Sequence, residues 1–396
     1  MQIAESSTSP VGAAPIRSSA ASSRPVAIWV YIGVFMLLIQ VILGGITRLT
    51  GSGLSITEWN IVTGALPPTG QSQWQEEFDK YRQTEQFRVL NSDFTLSDFK
   101  FIFFWEWFHR FWARLVGLVF VVGFVGLLWK RRLQSHMIRP LLILFLLGAL
   151  QGAVGWIMVV SGFTGDAIYV KPTRLALHFI FALGLIVYAF WFALQLSVPR
   201  ADQLLQSLDT GRPMAETYTQ RTLVRQVARL RHWTILILCL LLVQLLFGAL
   251  MAGNKAANIA PTWPSINGDA WPPALFTQHP LSHDLVGNRI TVQFIHRGLA
   301  YILLALVIIW SVLAWLIPAT PARFRSLRAL PLLMIIVQIL LGIFSLLTSP
   351  GIIPNRWVAF DWLAQFHQVT GLLLLLTMVG MLYLVIPVKL RHAVSV

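Results

Sequence analysis

Long apolar stretches separated by shorter polar ones dominate the pattern of this chain. An apolar run of about 20 residues is long enough to cross a bilayer as a helix. Eight such runs occur, with interiors almost free of charge, and they cover residues 26–47, 104–129, 140–163, 175–198, 233–254, 291–317, 329–349 and 362–388. The pattern therefore predicts an all-α polytopic membrane protein with eight transmembrane helices.

The second half of the chain repeats the first. His109 and His296 are separated by the same interval as Gln151 and Gln338. Each half contains four predicted helices, which is an even number, so the two repeats have the same orientation in the membrane. We therefore expect two tandem four-helix bundles that lie side by side.

The polar segments set the expected domain boundaries. The N-terminal bundle covers 26–198 and the C-terminal bundle covers 233–388, and the basic segment 199–232 joins them as a cytoplasmic linker. Residues 1–25 are rich in Ser and Ala and are expected to form a disordered cytoplasmic tail. Residues 389–396 form a second cytoplasmic tail.

A small pattern recurs once in each odd-numbered apolar run. A glutamine is followed four residues later by a glycine, so both residues share one helix face. Glycine lets helices approach each other and the amide can hydrogen-bond across a bundle, which favours a packing role over direct contact with a ligand. The four instances are Gln40 with Gly44, Gln151 with Gly155, Gln244 with Gly248, and Gln338 with Gly342.

Composition and charge narrow the class of protein. The chain is 56% hydrophobic and 12% charged, with a mean hydropathy of +0.68, which excludes a soluble domain. Almost all of the net charge of +14 lies in the tails and in the loops on their side, such as Lys130-Arg131-Arg132. This positive-inside bias predicts cytoplasmic or matrix-side termini, and it argues against a nucleic-acid partner. The single cysteine excludes an intrachain disulfide.

Four histidines occupy repeat-related places. His109, His178, His296 and His367 each lie in the first turns of an even-numbered run, which begins on the outer side of the membrane. We therefore expect all four near the outer face, as one pair in each bundle. Facing histidines can supply both axial ligands of a haem iron, although copper and zinc also accept imidazole. A haem is favoured because the second half brings no carboxylate or sulfur at that depth.

Only one of the two pairs has a carboxylate beside it. Glu106 precedes His109 by three residues, whereas Gln293 stands at the equivalent place before His296. The carboxylate could accept a proton or stabilise a developing positive charge, or it could simply pair with Arg110 at i+4, and the sequence does not separate these roles. Because Gln293 is present in the second half, a glutamine is expected to be tolerated at position 106.

Several arginines lie near these histidines. Arg110 and Arg297 directly follow their histidines, and each could pair with a haem propionate or only anchor its helix at the interface. Arg48 and Arg114 are further, weaker candidates for propionate partners.

The region around the first pair resembles a known family. Gly44-Gly45-Ile46-Thr47-Arg48-Leu49-Thr50-Gly51-Ser52-Gly53-Leu54-Ser55 is followed by Trp59, Pro67-Pro68, Phe99-Lys100 and Glu106-x-x-His109-Arg110. Together with the tandem repeat, these residues are similar to haem A synthases, in the longer-loop form of proteobacteria and mitochondria. The resemblance covers essentially the whole chain, but a cysteine pair that some relatives have in the first outer loop is absent here.

The resemblance implies an activity and a different role for each histidine pair. The family oxidises the C8 methyl group of haem O to the formyl group of haem A, which serves haem–copper terminal oxidases. By this resemblance, His109 and His178 flank the substrate haem, His296 and His367 ligate the iron of a haem b cofactor, and Glu106 is catalytic. The implied partners are haem O, membrane lipid, haem O synthase and oxidase assembly factors. The implied location is a bacterial inner membrane or, as an alternative, the mitochondrial inner membrane.

Two other classes of function fit the histidines alone. A dihaem b-type cytochrome for electron transfer would need the four histidines but not Glu106, and a haem carrier would need no chemistry. Formation of the formyl group distinguishes a synthase from both. A homo-oligomer is compatible with the sequence, which does not fix the oligomeric state.

Overall fold

A computed structural model describes residues 17–59, 66–198, 214–317, 322–353 and 356–385. Eight helices in these ranges are long and apolar enough to cross a membrane. This finding confirms the predicted number and the all-α class. The eight are α1 (Arg17–Leu49), α4 (Leu96–Trp129), α5 (Ser135–Val160), α6 (Pro172–Ser197), α7 (Met214–Gly253), α9 (Arg289–Trp315), α11 (Leu330–Thr348) and α12 (Ala359–Val385).

Four short helices complete the fold: α2 (Gln71–Arg82), α3 (Glu85–Leu90), α8 (Leu281–Gly287) and α10 (Ala322–Leu327). The first two lie between α1 and α4, and the third lies between α7 and α9. A capping box begins α4, in which the Thr95 side chain accepts from the Asp98 N–H and the Asp98 carboxylate accepts from the Thr95 N–H.

Two expected boundaries differ from the structure. Residues 17–25 are helical and belong to α1, and residues 214–232 are helical and belong to α7, so neither the tail 1–25 nor the linker 199–232 is irregular throughout. Hydropathy marks only the apolar part of a helix, whereas Ala, Glu, Gln and Arg continue a helix well beyond it. Residues 1–16, 199–213 and 386–396 lie outside the described residues.

The helix contacts are consistent with two tandem bundles. In the first, α1 packs against α4 and α6, and α5 packs against α6; in the second, α7 packs against α9 and α12, and α11 packs against α12. The bundles join where α6 meets α7 and where α12 meets α1 and α6. At the second contact, Gln365 and Gln368 of α12 donate to the backbone carbonyls of Ile42 and Val41 in α1.

Candidate functional site

The histidines of the C-terminal bundle face each other. His296 on α9 and His367 on α12 have ring centroids 6.3 Å apart and ring planes at 76°. A metal held between two imidazoles keeps their centroids roughly 6 Å apart, because each metal–nitrogen bond is about 2 Å long. The two side chains therefore already stand at the separation that a shared metal ion requires.

The histidines of the N-terminal bundle are also brought together. His109 on α4 and His178 on α6 are close enough to interact electrostatically. All four histidines line one continuous, mostly apolar cavity of about 1180 Å³. Ordinary small-molecule pockets measure roughly 300–1,000 Å³, so this cavity has room for more than one compact ligand.

The repeated glutamine–glycine pattern positions the histidines. Each glutamine places its amide nitrogen within 3.5 Å of an imidazole nitrogen on a neighbouring helix, in the pairs Gln40–His109, Gln151–His178, Gln244–His296 and Gln338–His367. The expected hydrogen bond across the bundle is present, but its partner is the candidate ligand. The sequence showed the recurrence without showing that partner.

The glycine of each pattern makes room for the imidazole ring rather than for a helix backbone. A Cβ atom added at the glycine would lie 3.2 Å from Cε1 of the paired histidine at Gly44 and Gly248, 3.0 Å at Gly155 and 2.9 Å at Gly342. Because these approaches are closer than ordinary van der Waals contact, a side chain at any of the four positions would displace the imidazole ring. The pattern is thus a cradle for histidine, repeated four times.

One hydrogen bond fixes a tautomer. The Nδ1 atom of His367 lies 3.0 Å from the backbone carbonyl oxygen of Gln338, which can only accept, so Nδ1 is the protonated nitrogen in that bond. The Nε2 atom of His367 is then the unprotonated nitrogen, the form that a metal binds, and the amide nitrogen of Gln338 lies 3.3 Å from it. Histidines that bind metals commonly donate their other N–H in this way.

These features fit a haem better than a small metal ion. Among the described residues, no group of three or more His, Cys, Asp or Glu side chains could hold a metal ion. Paired imidazoles in a wide apolar cavity match axial ligation of a macrocycle instead. In addition, the side-chain oxygens of Gln40, Gln151, Gln244 and Gln338 are buried and have no partner in the described part of the chain.

Glu106 is buried, and its carboxylate accepts three hydrogen bonds. Arg110 donates to Oε1 at 2.6 Å, while the hydroxyl of Ser55 and the N–H of Ile56 donate to Oε2 at 2.8 and 2.9 Å. The ion pair with Arg110 that the spacing allows is therefore present. The carboxylate also ties the start of the first outer loop to α4 at the edge of the cavity, which Glu106 lines.

Gln293 occupies the equivalent place with the opposite hydrogen-bonding polarity. Its amide nitrogen donates to the carbonyls of Ala256 and Ala260 at 3.4 and 3.2 Å. The loop in the second half thus presents acceptors, whereas the loop in the first half presents donors. Glutamine at position 106 would keep one acceptor oxygen but replace the other with an amide nitrogen, which cannot accept, so at least one of the hydrogen bonds from Ser55, Ile56 and Arg110 would be lost.

The candidate arginines fall into two groups. Arg110 donates to the carbonyls of Glu58 and Ile56 and lies over the Trp59 ring, and Arg297 donates to the carbonyls of Thr262, Pro264 and Ser265. Both therefore hold outer loops in place. Arg48 and Arg114 line the cavity, as Arg110 and Arg297 do, and so does Lys255, which the sequence did not single out.

Comparisons with known proteins agree on one family. A family model described as cytochrome oxidase assembly protein matches residues 27–379. A haem A synthase of Flavobacterium psychrophilum is 34% identical over 90% of this chain and 96% of its own length. Haem A synthases of a Methylobacterium species and of Parvibaculum lavamentivorans are 38% and 41% identical, over 92% and 74% of this chain and 94% and 79% of their own lengths.

Proposed function

The chain belongs to the haem A synthase family, and from that premise we propose which reaction each bundle performs. It is a membrane enzyme of haem A biosynthesis that serves the assembly of haem–copper oxidases. We propose that it oxidises the C8 methyl group of haem O to a formyl group, by successive hydroxylations followed by loss of water. In this proposal, His109 and His178 flank the substrate, and His296 and His367 ligate the iron of a resident haem b.

The observation that carries the proposal is the asymmetry between two otherwise equivalent sites. Both bundles cradle a pair of histidines with the same glutamine–glycine pattern, but only the first adds a buried carboxylate, Glu106, at the edge of the cavity. A resident cofactor needs two firm ligands and no reactive neighbour, which suits Gln293. A site that develops positive charge during oxidation gains from a fixed carboxylate, which suits Glu106.

The chain's own residues have separate tasks in this mechanism. The four glutamines orient the imidazoles, and Glu106 with Arg110 holds the first outer loop against α4, which limits access of water to the substrate. The negative charge of Glu106 is fixed by three donors before the reaction begins, so it needs no reorganisation when charge develops. When bound, haem b would supply one-electron transfer at the site held by His296 and His367.

Among the four candidate propionate partners, Arg48, Arg110, Arg114 and Arg297, all of which line the cavity, Arg48 is the one we favour. The guanidinium groups of Arg110 and Arg297 donate to several loop carbonyls, and Arg114 has a contact of its own. An arginine with a carboxylate partner forms a strong charge-assisted hydrogen bond in a low-dielectric site. Substitution of Arg48 by methionine should weaken haem retention, measured as haem content after detergent washing.

The proposed location is a bacterial inner membrane, with the mitochondrial inner membrane as the alternative. An even number of spans puts both ends of the helical region on one side, and the basic loops favour the cytoplasmic side. The histidines then lie near the outer face. A reporter inserted in 75–85 should be exposed outside and one fused after Lys130 should be cytoplasmic, and the opposite pattern would invert the protein.

The reaction is tested by expression together with a supply of haem O, followed by a mass-resolved extract of the haems. We expect haem A with its formyl absorbance from the intact protein and unchanged haem O from His109→Ala. An electron-transfer cytochrome or a haem carrier would bind haem without producing the formyl group. Bound haem O that is never converted would reject the proposed reaction.

A further inference from the structure

The two bundles differ in the outward-facing wall that their second and third membrane-spanning helices form, which are α4 and α5 in the first bundle and α9 and α11 in the second. In the C-terminal bundle, α9 packs against α11. In the N-terminal bundle, the backbones of the equivalent helices α4 and α5 hardly approach each other, and side chains such as Phe120 and Phe145 make the contact. Beyond Glu106, α4 buries no side chain, whereas α9 buries side chains as far as Ala314. The N-terminal bundle is therefore open between α4 and α5.

Three repeat-related positions explain this opening. Where the C-terminal bundle has Leu304, Ile335 and Ile339, the N-terminal bundle has Gly117, Gly148 and Gly152. The three aliphatic side chains pack in the core of their bundle. At each of the three glycines, by contrast, an added Cβ atom would meet nothing within 4 Å.

The opening leads to the first histidine pair. Gly117, Gly148 and Gly152 are exposed and also line the cavity that contains His109 and His178. The opening is bounded towards the inner side by Phe120 of α4 and Phe145 of α5, whose rings stack at 6.2 Å. From His109 to Phe120 a helix rises about 16 Å, at 1.5 Å per residue. Together these residues define a lateral window.

We propose that the substrate haem enters and leaves the N-terminal bundle sideways from the bilayer, through the lateral window between α4 and α5. This inference rests on the proposed function, because it assigns an access route to the proposed substrate site. The window is apolar, faces the surroundings and ends at the imidazoles of His109 and His178 and at the amide oxygens of Gln40 and Gln151, which have no partner among the described residues. A flat, largely apolar metalloporphyrin dissolved in lipid fits such a route.

In the C-terminal bundle, the equivalent gap between α9 and α11 is closed. Ile335 is buried, and Leu304 and Ile339 pack beside it, so side chains fill the direct route between α9 and α11 to His296 and His367. From the window, these two histidines are reached only past the first pair, along the shared cavity. A haem at that site would be retained because its lateral route is filled with side chains. The same fold would thus hold a cofactor in one bundle and exchange a substrate in the other.

The test fills the window with the residues of the other bundle. The double variant Gly117→Leu with Gly148→Ile should take up haem O from phospholipid vesicles more slowly by about tenfold or more, since access would require the helices to separate. Uptake is followed by the change in haem absorbance of protein whose second site is already loaded. Gly126→Leu is the matched control on α4, because its added side chain also meets open space but does not line the cavity.

A second variant changes the window in the opposite direction. Phe145 is half exposed, so Phe145→Ala should fold normally and speed up uptake by removing one side of the stacked pair. His109→Ala gives the background from haem that only partitions into the detergent or lipid. Slower uptake in the filled variant with faster uptake in Phe145→Ala supports the route, and wild-type rates in both overturn it. If uptake responds as expected but no haem A forms, the proposed reaction fails while the access route stands.

Discussion

The N-terminal and C-terminal bundles share one way of holding histidine and differ in nearly everything around it. All four imidazoles rest on a glycine and contact a glutamine four residues before it. Around this shared core, the first bundle places a buried carboxylate beside its site and glycines in the wall between two helices. The second places an amide and aliphatic side chains at the same positions.

Under the proposed function, the difference would let a duplicated fold separate two roles without changing its paired histidines. The placement of these histidines is set by contacts within each bundle, and the contacts are kept in both copies. Access and local charge are set by positions such as Gly148 and Ile335, or Glu106 and Gln293, which do not touch the ligand nitrogen. Such positions are free to diverge because their substitution leaves the histidines in place.

The largest expected effect comes from removing a ligand of the retained haem. His296→Ala or His367→Ala should lose the resident haem and its low-spin spectrum, because a single imidazole cannot complete the axial pair. His109→Ala should keep that haem and lose product. The measurement is the optical and electron paramagnetic resonance spectrum of each purified variant. The reverse pattern would mean that the roles of the two bundles are exchanged.

The next effect separates charge from loop anchoring at Glu106. Glu106→Gln should reduce conversion of haem O by ~10²–10³, because a preorganised electrostatic group is removed. It also replaces one acceptor oxygen with a donor, so Ser55→Ala is the control, which removes one hydrogen bond to the loop and keeps the charge. The rate of haem A formation per bound haem O is measured for both. Equal losses in the two variants would assign Glu106 to anchoring alone.

A smaller effect is expected from the glycine cradle. Gly342→Ala should weaken haem affinity at the second site by about 10–100-fold, because the new Cβ atom would lie 2.9 Å from Cε1 of His367 and displace the ring. Gly155→Ala should act in the same way on the first site only. The control is Gly298→Ala, where an added Cβ atom meets nothing within 4 Å. Affinity is measured by haem titration. Equal haem affinities of Gly342→Ala and Gly298→Ala would show that the glycine beside His367 is not needed for haem binding.

The smallest effect concerns the contact between the bundles. Lys255 follows α7 and places Nζ 3.3 Å from the ring centroid of Tyr169, which precedes α6. Burial, together with the positive charges of Arg48 and Arg289, lowers the pKa of Lys255 to about 8. The folded protein then binds fewer protons than the unfolded chain above that pH, so stability should rise as pH increases from about 8 towards the pKa of an ordinary lysine, near 10.4.

The pH effect is measured by thermal unfolding in detergent across that range. Lys255→Met removes the titrating group and should flatten the rise. A rise of the same size in Lys255→Met would assign the pH dependence to other groups.

The sequence predicts the membrane-spanning helices and the pairing of the histidines for a physical reason. A bilayer demands long apolar runs, and a tandem repeat places matching residues at matching depths. Hydropathy could not predict the helical start of α7 at Met214, because polar residues continue a helix without any lipid around them. The glutamine–glycine pattern was visible in the sequence, but its imidazole partners lie on other helices.

Contacts between residues that are distant in sequence could not be predicted, for a different reason. Ser55 and Ile56 contact Glu106 only because the loop after α1 folds back onto α4, and no local sequence pattern predicts that path. The window residues were present in the repeat from the start. The glycines alone do not predict an opening, because a glycine in a membrane helix can equally serve close packing. The opening is recognised only when Gly117 and Gly148 are compared with Leu304 and Ile335 in the folded bundles.

The most direct test of the comparison is a measurement of haem exchange at the two sites of the intact protein. Protein loaded with iron-57 haem at both sites is incubated with vesicles that contain unlabelled haem O, and His109→Ala and His296→Ala identify the site from which label is lost. We predict rapid loss of label from the site of His109 and His178 and retention at the site of His296 and His367. Loss from the second site at an equal or higher rate would contradict the account.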